Sequence, residues 1–434
     1  MRYFRIKNFS GLKNNAEQSS LDRGTLTLCE NAVPYPKGCI QSVPKWERVY
    51  EGLDISTNKD NLIDIMDGHG NHLLVSRKSD GVVRGLGWAS SKTLDGKRNP
   101  HLEASIVDAN NHLNGGYISQ VGKEFFIGDG VGDNIHWGAA TGRRFAKLSV
   151  ATGDAGLALY GQSNKPFPPS TTFVVGPDKA IYAAGKQTDP LSVYVSEPAT
   201  IANPDSYSAV QGVYSGVLSV VKVIMSDATR ITALSTFRNY VVVHTNAGVV
   251  LLYRTEKNQA GTGYRVEQTA SPTVAGAVNP NSASANMGVR PFYLGTDGQI
   301  YRDEAARAGQ DHVTEGRVKE IATWNSVDNW NRYVDADISQ AFTAFEPSLE
   351  FFVAGVPHLT GEISEGYPVF LYNGETFAFS GPNLYPRFQC LTSIHGTSKL
   401  IGVDHENKFW TADFSKMREQ PTINIPDPLV SYDG

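Results

Sequence analysis

The stretch Ile231–Glu256, ITALSTFRNYVVVHTNAGVVLLYRTE, decides the fold. It parses into three short runs, ITAL, YVVVH and VVLLYR, divided by a polar turn and by TNAG. Val, Leu and Tyr dominate the runs, and Asn and Gly stand where the chain must reverse. Three antiparallel strands in 26 residues leave no room for a helix, so the stretch predicts one sheet of a repeated all-β array.

The same phrase recurs in both directions from that point. Before it come Leu62–Ser76 (LIDIMDGHGNHLLVS), Gly115–Asp129 (GGYISQVGKEFFIGD) and Thr171–Gly185 (TTFVVGPDKAIYAAG). After it come Pro291–Arg302 (PFYLGTDGQIYR), Phe342–Gly355 (FTAFEPSLEFFVAG) and Leu391–Asp404 (LTSIHGTSKLIGVD). Successive starts are 49 to 60 residues apart, and further strands begin near Val82, Leu191 and Asn407. A β-meander repeated at that period is the signature of a propeller, since no copy can bury both faces of its sheet alone. A β-sandwich also has strands every 8–12 residues, but it needs no regular 50-residue spacing. The expectation is an all-β chain: a β-propeller of six or seven blades with an extended N-terminal arm and a C-terminal tail.

Composition agrees with that class. Of 434 residues, 40% are hydrophobic and 19% charged, which suits a globular chain, and 42 Gly with 22 Pro supply many turns. The best helical candidates, Asp303–Gln310 and Gly316–Trp324, are short. The net charge of −5 excludes a global basic field for gripping nucleic acid. Arg143-Arg144-Phe145-Ala146-Lys147 reads as a solvated loop. A channel that DNA slides through gains from not binding phosphates, so the acidic balance permits a conduit. Cys29, Cys39 and Cys390 make no disulfide framework; Cys29 and Cys39 could pair across a loop, but free thiols are expected. No apolar run of signal-peptide or membrane-spanning length occurs, so synthesis in the cytoplasm and no membrane-spanning segment are expected.

The chain divides into an arm with closing strands (1–50), a propeller (51–414) with long inserted loops, and an extended tail (415–434). Among the loops, 256–287 is the longest, and it is where subunit contacts or lumen-facing tips are expected. The tail, SKMREQPTINIPDPLVSYDG, is interrupted by proline and either pairs with another chain by strand addition or hangs loose.

Several stretches resemble structural proteins of tailed phages. Ser10-Gly11-Leu12, Leu21, Gly24, Leu26, Glu30-Asn31, Gly38-Cys39-Ile40 and Pro44 fill the opening pattern of those proteins, with Lys45-Trp46 where a Gly is usual. IYAAGKQTDPLSVYVSEPATIANPDSYSAV from Ile181, the phrase from Ile231, and SPTVAGAVNPNSASANMGVRPFYLGTDGQIYR from Ser271 continue it. FTAFEPSLEFFVAGVP and YPVFLYNGETFAFS, from Tyr367, complete it, so the resemblance spans roughly residues 10–380. It implies a tail nozzle or head-to-tail hub protein of a short-tailed, podovirus-type phage. Its copies would form a homohexameric ring below the portal and adaptor, in the virion tail. Expected partners are the adaptor, tail fibre, spike or needle proteins, and double-stranded DNA in transient passage during genome ejection. The alternative is a carbohydrate-binding or receptor-binding propeller of the tail.

No constellation for catalysis emerges. Ser79-Asp80-Gly81 lacks the spacing and Trp of a sialidase turn. Asp64 with Asp67 and Asp129 with Asp133 are the nearest acid pairs, and turn acids are far commoner than glycosidase pairs. Gly128–Asp133, GDGVGD, resembles half a calcium turn, and a plain turn is the simpler account. His69 and His72 lack further zinc ligands at a defined spacing. Trp324, Trp330 and Tyr333 form a possible sugar platform, although blade aromatics usually pack. No residue is assigned a catalytic, cofactor-binding or metal-ligating role, no cofactor is expected, and the chain is not expected to be an enzyme.

Overall fold

The structure is a computed structural model that describes residues 11–12, 25–26, 28–30, 32–33, 35, 41–50, 63–67, 72–77, 83–88, 100–106, 117–121, 124–132, 134–138, 144–147, 167–196, 217–237, 239–257, 264–271, 274–283, 292–305, 316–323, 338–346, 348–355, 368–373, 378–384, 386, 388–393, 397–404, 408–418 and 429–431. Among them, seven antiparallel sheets follow one another along the chain. Their first strands are Ile63–Asp67, Tyr117–Val121, Thr172–Val175, Ile231–Phe237, Phe292–Leu294, Phe342–Glu346 and Phe388–Ser393, numbered here as blades 1 to 7. Each coincides, to within three residues, with one of the seven repeated phrases.

The first strands of neighbouring blades meet in chain order, and that of blade 7 meets that of blade 1, except that blades 4 and 5 join through the segment 274–283 and a shared core; the seven sheets thus form a seven-bladed β-propeller. Closure uses residues from both halves of the chain. Blade 7 takes Phe388–Ser393, Lys399–Asp404 and Phe409–Asp413 in sequence, and its outermost strand is Trp46–Tyr50 from the arm. Trp46 is buried, with its ring 4.5 Å from that of Phe388. Tyr35 packs edge-on against Phe351 of blade 6 at 5.5 Å. The arm is thus part of the core between blades 6 and 7.

Alternation along each strand sends one row of side chains to each neighbouring blade. In blade 4, Ile231, Val241, Val243 and Val250 pack on Tyr182, Val193 and Val195 of blade 3. The opposite row, Ala233, Val242, Val249 and Leu251, packs towards Tyr293 and Tyr301 of blade 5. This two-sided demand explains why the run YVVVHT is buried throughout. At the innermost strands, hydroxyls bridge one blade to the next: Phe173 N–H donates to Ser119 Oγ (3.1 Å) and Leu234 N–H to Thr172 Oγ1 (3.1 Å).

Blades 3 and 5 turn identically. GPDKAIY (176–182) and GTDGQIY (295–301) share Gly, Asp, Ile and Tyr. Tyr182 Oη donates to Asp178 Oδ2 (2.9 Å), and Tyr301 Oη to Asp297 Oδ2 (2.5 Å). Each tyrosine ring lies over the glycine, where an added Cβ would come within 2.4 Å of Tyr182 and 2.7 Å of Tyr301. At the fourth position the backbone is left-handed, with φ of 79° at Gly298 and 63° at Lys179.

Four expectations differ from the structure, the first being the loop reading of the basic cluster: Arg144–Lys147 is the outer strand of blade 2, held by pairing with Ile135–Gly138. Gly316–Thr323 is a strand of blade 5, and Asp303–Ala305 belongs to the strand beside it, so the described part of each expected helix is strand; cross-strand pairing overrides the helix-like charge spacing. Much of 256–287 is ordered: Tyr264–Ser271 is the fourth strand of blade 4, and 274–283 runs along the first strand of blade 5 with Ala277 opposite Gly295 and Ala283 opposite Tyr293. There Asn279 caps a short 3-10 helix, Pro280–Ser282, and its Nδ2 donates to the carbonyls of Ser339 (2.7 Å) and Ala341 (3.0 Å) at the entry to blade 6. Small residues fit here because Gly276 lies against the backbone of Thr245 and Gly248. The tail begins with a 3-10 helix, Phe414–Arg418, and Leu429–Ser431 pairs with the arm's own Leu28–Glu30.

Candidate functional site

The outer rim of blade 3 carries the most exposed apolar row among the described residues. Its outermost strand is Val217–Lys222. Val221, Val223 and Met225 turn inward to the seam with blade 4, so the alternate residues face out. Val220 is 50% exposed and Ile224, just beyond the strand, 73%. The adjacent backbone is clamped by Gln268 from blade 4: its Nε2 donates to Lys222 O, and its Oε1 accepts from Ile224 N–H, each at 3.1 Å. One amide side chain thereby stands in for a further strand at that end of the edge.

Lys222 forms an ion pair with Asp189, which also accepts from Tyr194 Oη at 2.8 Å. Burial alone would raise the Asp189 pKa, but the donor groups of Lys222, Ser192 and Tyr194 outweigh it and hold the carboxyl below its usual range. Burial, then the neighbouring Asp189 carboxylate, pushes the Tyr194 phenol up. A lysine set in an apolar edge is a common guard against indiscriminate strand pairing. The described edge thus combines two exposed apolar side chains with a lysine held by Asp189.

The buried polar pair Ser235 and His244 invites comparison with a nucleophile and its base. Ala277 N–H donates to His244 Nδ1 (3.2 Å), so the ring proton sits on Nε2 and is donated to Ser235 Oγ (2.9 Å). A serine nucleophile needs the reverse, a hydroxyl donating to a free imidazole nitrogen. Tyr293 meets the imidazole edge-on at 4.6 Å, and burial pushes the His244 pKa down to about 3. The imidazole is neutral and joins blades 4 and 5 through the segment at Ala277.

Asp129 is the sequence candidate whose surroundings are clearest. Its Oδ1 accepts the N–H groups of Val131 and Gly132, both at 2.8 Å, so it closes its own turn. Asp133 lies outside the described residues, as do His69, Ser79-Asp80-Gly81, Arg143, Trp324, Trp330, Tyr333 and Cys39. Asp64, Asp67 and His72 fall on strands of blade 1, Arg144–Lys147 is a strand of blade 2, and Cys29 is on an arm strand. Cys390 is a buried free thiol in blade 7. Among the described residues no cluster of three His, Cys, Asp or Glu side chains is placed to hold a metal, and no helix is long and apolar enough to cross a membrane.

No family model matches the chain, and neither does any curated protein sequence. Among solved structures, the β-propeller domain of Myceliophteria thermophila Cps50 (Swd1) is similar at 12% identity and a TM-score of 0.45, covering 85% of this chain and 98% of that one. BamB from Moraxella catarrhalis is similar at 9% identity and a TM-score of 0.42, covering 81% and 83%. Virginiamycin B lyase from Staphylococcus aureus is similar at 8% identity and a TM-score of 0.47, covering 85% and 99%. Likenesses this distant carry no inference about activity or partners, and the propeller rests on the strand pairing itself.

Proposed function

We propose that the chain is a structural subunit of the tail of a short-tailed phage, a nozzle or hub whose six copies form a ring below the portal and adaptor. The genome leaves through that ring, and fibre, spike or needle proteins attach to it. One observation carries the proposal: the stretches resembling such proteins run consecutively through the fold. The stretch from Ile181 supplies the second and third strands of blade 3, and Ile231–Glu256 supplies three strands of blade 4. The stretch from Ser271 supplies the inter-blade segment and the first hairpin of blade 5, and those from Phe342 and Tyr367 supply blade 6. The pattern therefore follows a continuous run of blades and is not a scatter of turn motifs. The net charge of −5 suits a conduit that does not hold phosphates.

The test is a phage carrying an early stop codon in this gene, grown without complementation. The proposal expects packaged heads that lack the tail ring and lose DNA. Complete particles that keep their DNA and fail only to adsorb to cells would overturn it in favour of a receptor-binding or carbohydrate-binding component.

A further inference from the structure

Blades 4 and 5 are joined differently from other neighbours, through the inserted segment 274–283, VAGAVNPNSA. The segment is tied to three blades by different chemistry. On blade 5, Val278 N–H donates to Leu294 O (3.1 Å), Thr296 N–H to Gly276 O (2.9 Å) and Tyr293 Oη to Ala275 O (3.0 Å). Towards blade 6, Asn279 Nδ2 donates to the Ser339 and Ala341 carbonyls, and Thr343 Oγ1 donates to Asn281 O (3.1 Å). All of these acceptors are backbone carbonyls, which do not titrate. On blade 4 the acceptor does titrate: Ala277 N–H donates to His244 Nδ1 (3.2 Å), beside the packing of Gly276 on the backbone of Thr245 and Gly248.

The imidazole has no counter-charge at hand. On blade 4 it stands between Ala233 and Val249, with the Ser235 hydroxyl on Nε2. Blade 5 presents the Tyr293 phenol, whose Oη is held by Ala275; behind it Tyr301 stacks on Tyr293 at 5.2 Å and donates to Asp297. The segment has no titratable side chain. Among the described residues, burial alone lowers the His244 pKa, with no neighbouring charge contributing. A protonated imidazole donates from both nitrogens, so its Nδ1 proton would confront Ala277 N–H. Donor against donor in a dry seam loses the hydrogen bond and leaves a buried charge unpaired. By contrast, the seams of blades 2–3 and 3–4 are bridged by the Ser119 and Thr172 hydroxyls, which do not change charge with acid.

We propose that protonation of His244 is a switch that parts blade 4 from segment 274–283 while the segment stays on blades 5 and 6. Acid thereby opens the circle of blades at this seam ahead of the others. The inference stands apart from any place in a virion.

Amide-resolved hydrogen exchange of the natural protein at pH 7, 6 and 5, corrected for intrinsic rates, reads the opening. An opened seam returns the imidazole to water, where its pKa is about 6.5, against about 3 when closed. The protection of Ala277 N–H is present in full above pH 6.5 and is lost as pH falls, by about 25-fold from pH 7 to pH 5. It starts below that of Leu234 N–H at the neighbouring seam, and Val278 and Thr296 N–H keep theirs. In H244Q the fall at Ala277 disappears. Ala277 protection that ignores pH overturns the inference. So does a parallel fall at Val278 and Thr296, which would release the whole segment, or protection equal to that of Leu234 at every pH, which would leave only global unfolding. Should H244Q misfold, the pH series on the natural protein decides alone.

Discussion

Replacing His244 by Gln removes a titrating group from the seam of blades 4 and 5 while keeping a donor and an acceptor on one side chain. The folded-state pKa is about 3, against about 6.5 for an unperturbed histidine. Below pH 6.5 the unfolded chain takes up a proton that the folded chain refuses. The stability tied to a neutral His244 is therefore present in full above that pH and is lost as pH falls towards the folded value. Linkage puts the loss at about 2 kcal/mol between pH 7 and pH 5, and at about 5 kcal/mol once the folded value is passed. Urea unfolding of the natural protein and of H244Q at pH 7, 6 and 5 isolates the effect, because every other titration is common to both. The variant loses packing on Tyr293 and starts out less stable, by about 1–2 kcal/mol. The gap then moves in the variant's favour by about 2 kcal/mol at pH 5. A gap independent of pH would mean that folded His244 titrates as in water, refuting the sealed seam.

Trp46→Ala strips the closing strand of its contact with Phe388 and is expected to cost about 3–5 kcal/mol, read by chemical denaturation, with blade 7 losing hydrogen-exchange protection first. Lys179→Gly relieves a left-handed backbone worth about 1–2 kcal/mol, against about 0.5–1 kcal/mol of added freedom in the unfolded chain, so the protein gains about 0.5–1 kcal/mol in the same assay. Asn279→Ala removes a cap and leaves the Ser339 and Ala341 carbonyls without their donor. It is expected to cost about 2–4 kcal/mol and to speed amide exchange around 338–341.

The first strands were legible because each blade opens with an apolar phrase and a tight reversal. Ile231 and Phe342 begin their strands where the repeated phrase begins, whereas the phrase at Leu391 starts three residues inside Phe388–Ser393. Outer strands were harder to see, since they are half-solvated and paired on one edge. Gly316–Thr323 has Lys and Glu side by side, and only its pairing with Gln299–Ala305 makes it a strand. The inter-blade segment at 274–283 reads as a loop because its Gly, Ala and Ser residues are small, and smallness is what lets it lie between blades. The matching GPDKAIY and GTDGQIY turns contained a readable signal: Asp four residues before Tyr, with Gly two before Asp, encodes the ring-over-glycine tie.

Site residues were less legible. The outward row of Val220 and Ile224 depends on which face of one edge strand meets blade 4, which local sequence does not specify. Ser235 and His244 lie nine positions apart on paired strands, and their polarity is set by the backbone of Ala277, on a segment with no sequence signal of contact. Strand Leu28–Glu30 and strand Leu429–Ser431 are nearly the whole chain apart, so their pairing leaves no local trace.

The most direct test of the central claim is the copy number of this chain in purified phage particles, measured by quantitative mass spectrometry against the portal protein. The account predicts about one chain for every two portal chains, the ratio of a six-fold ring beneath a twelve-fold portal. Absence of the chain from the particle, or a count in higher multiples of three as for trimeric fibres, would contradict it.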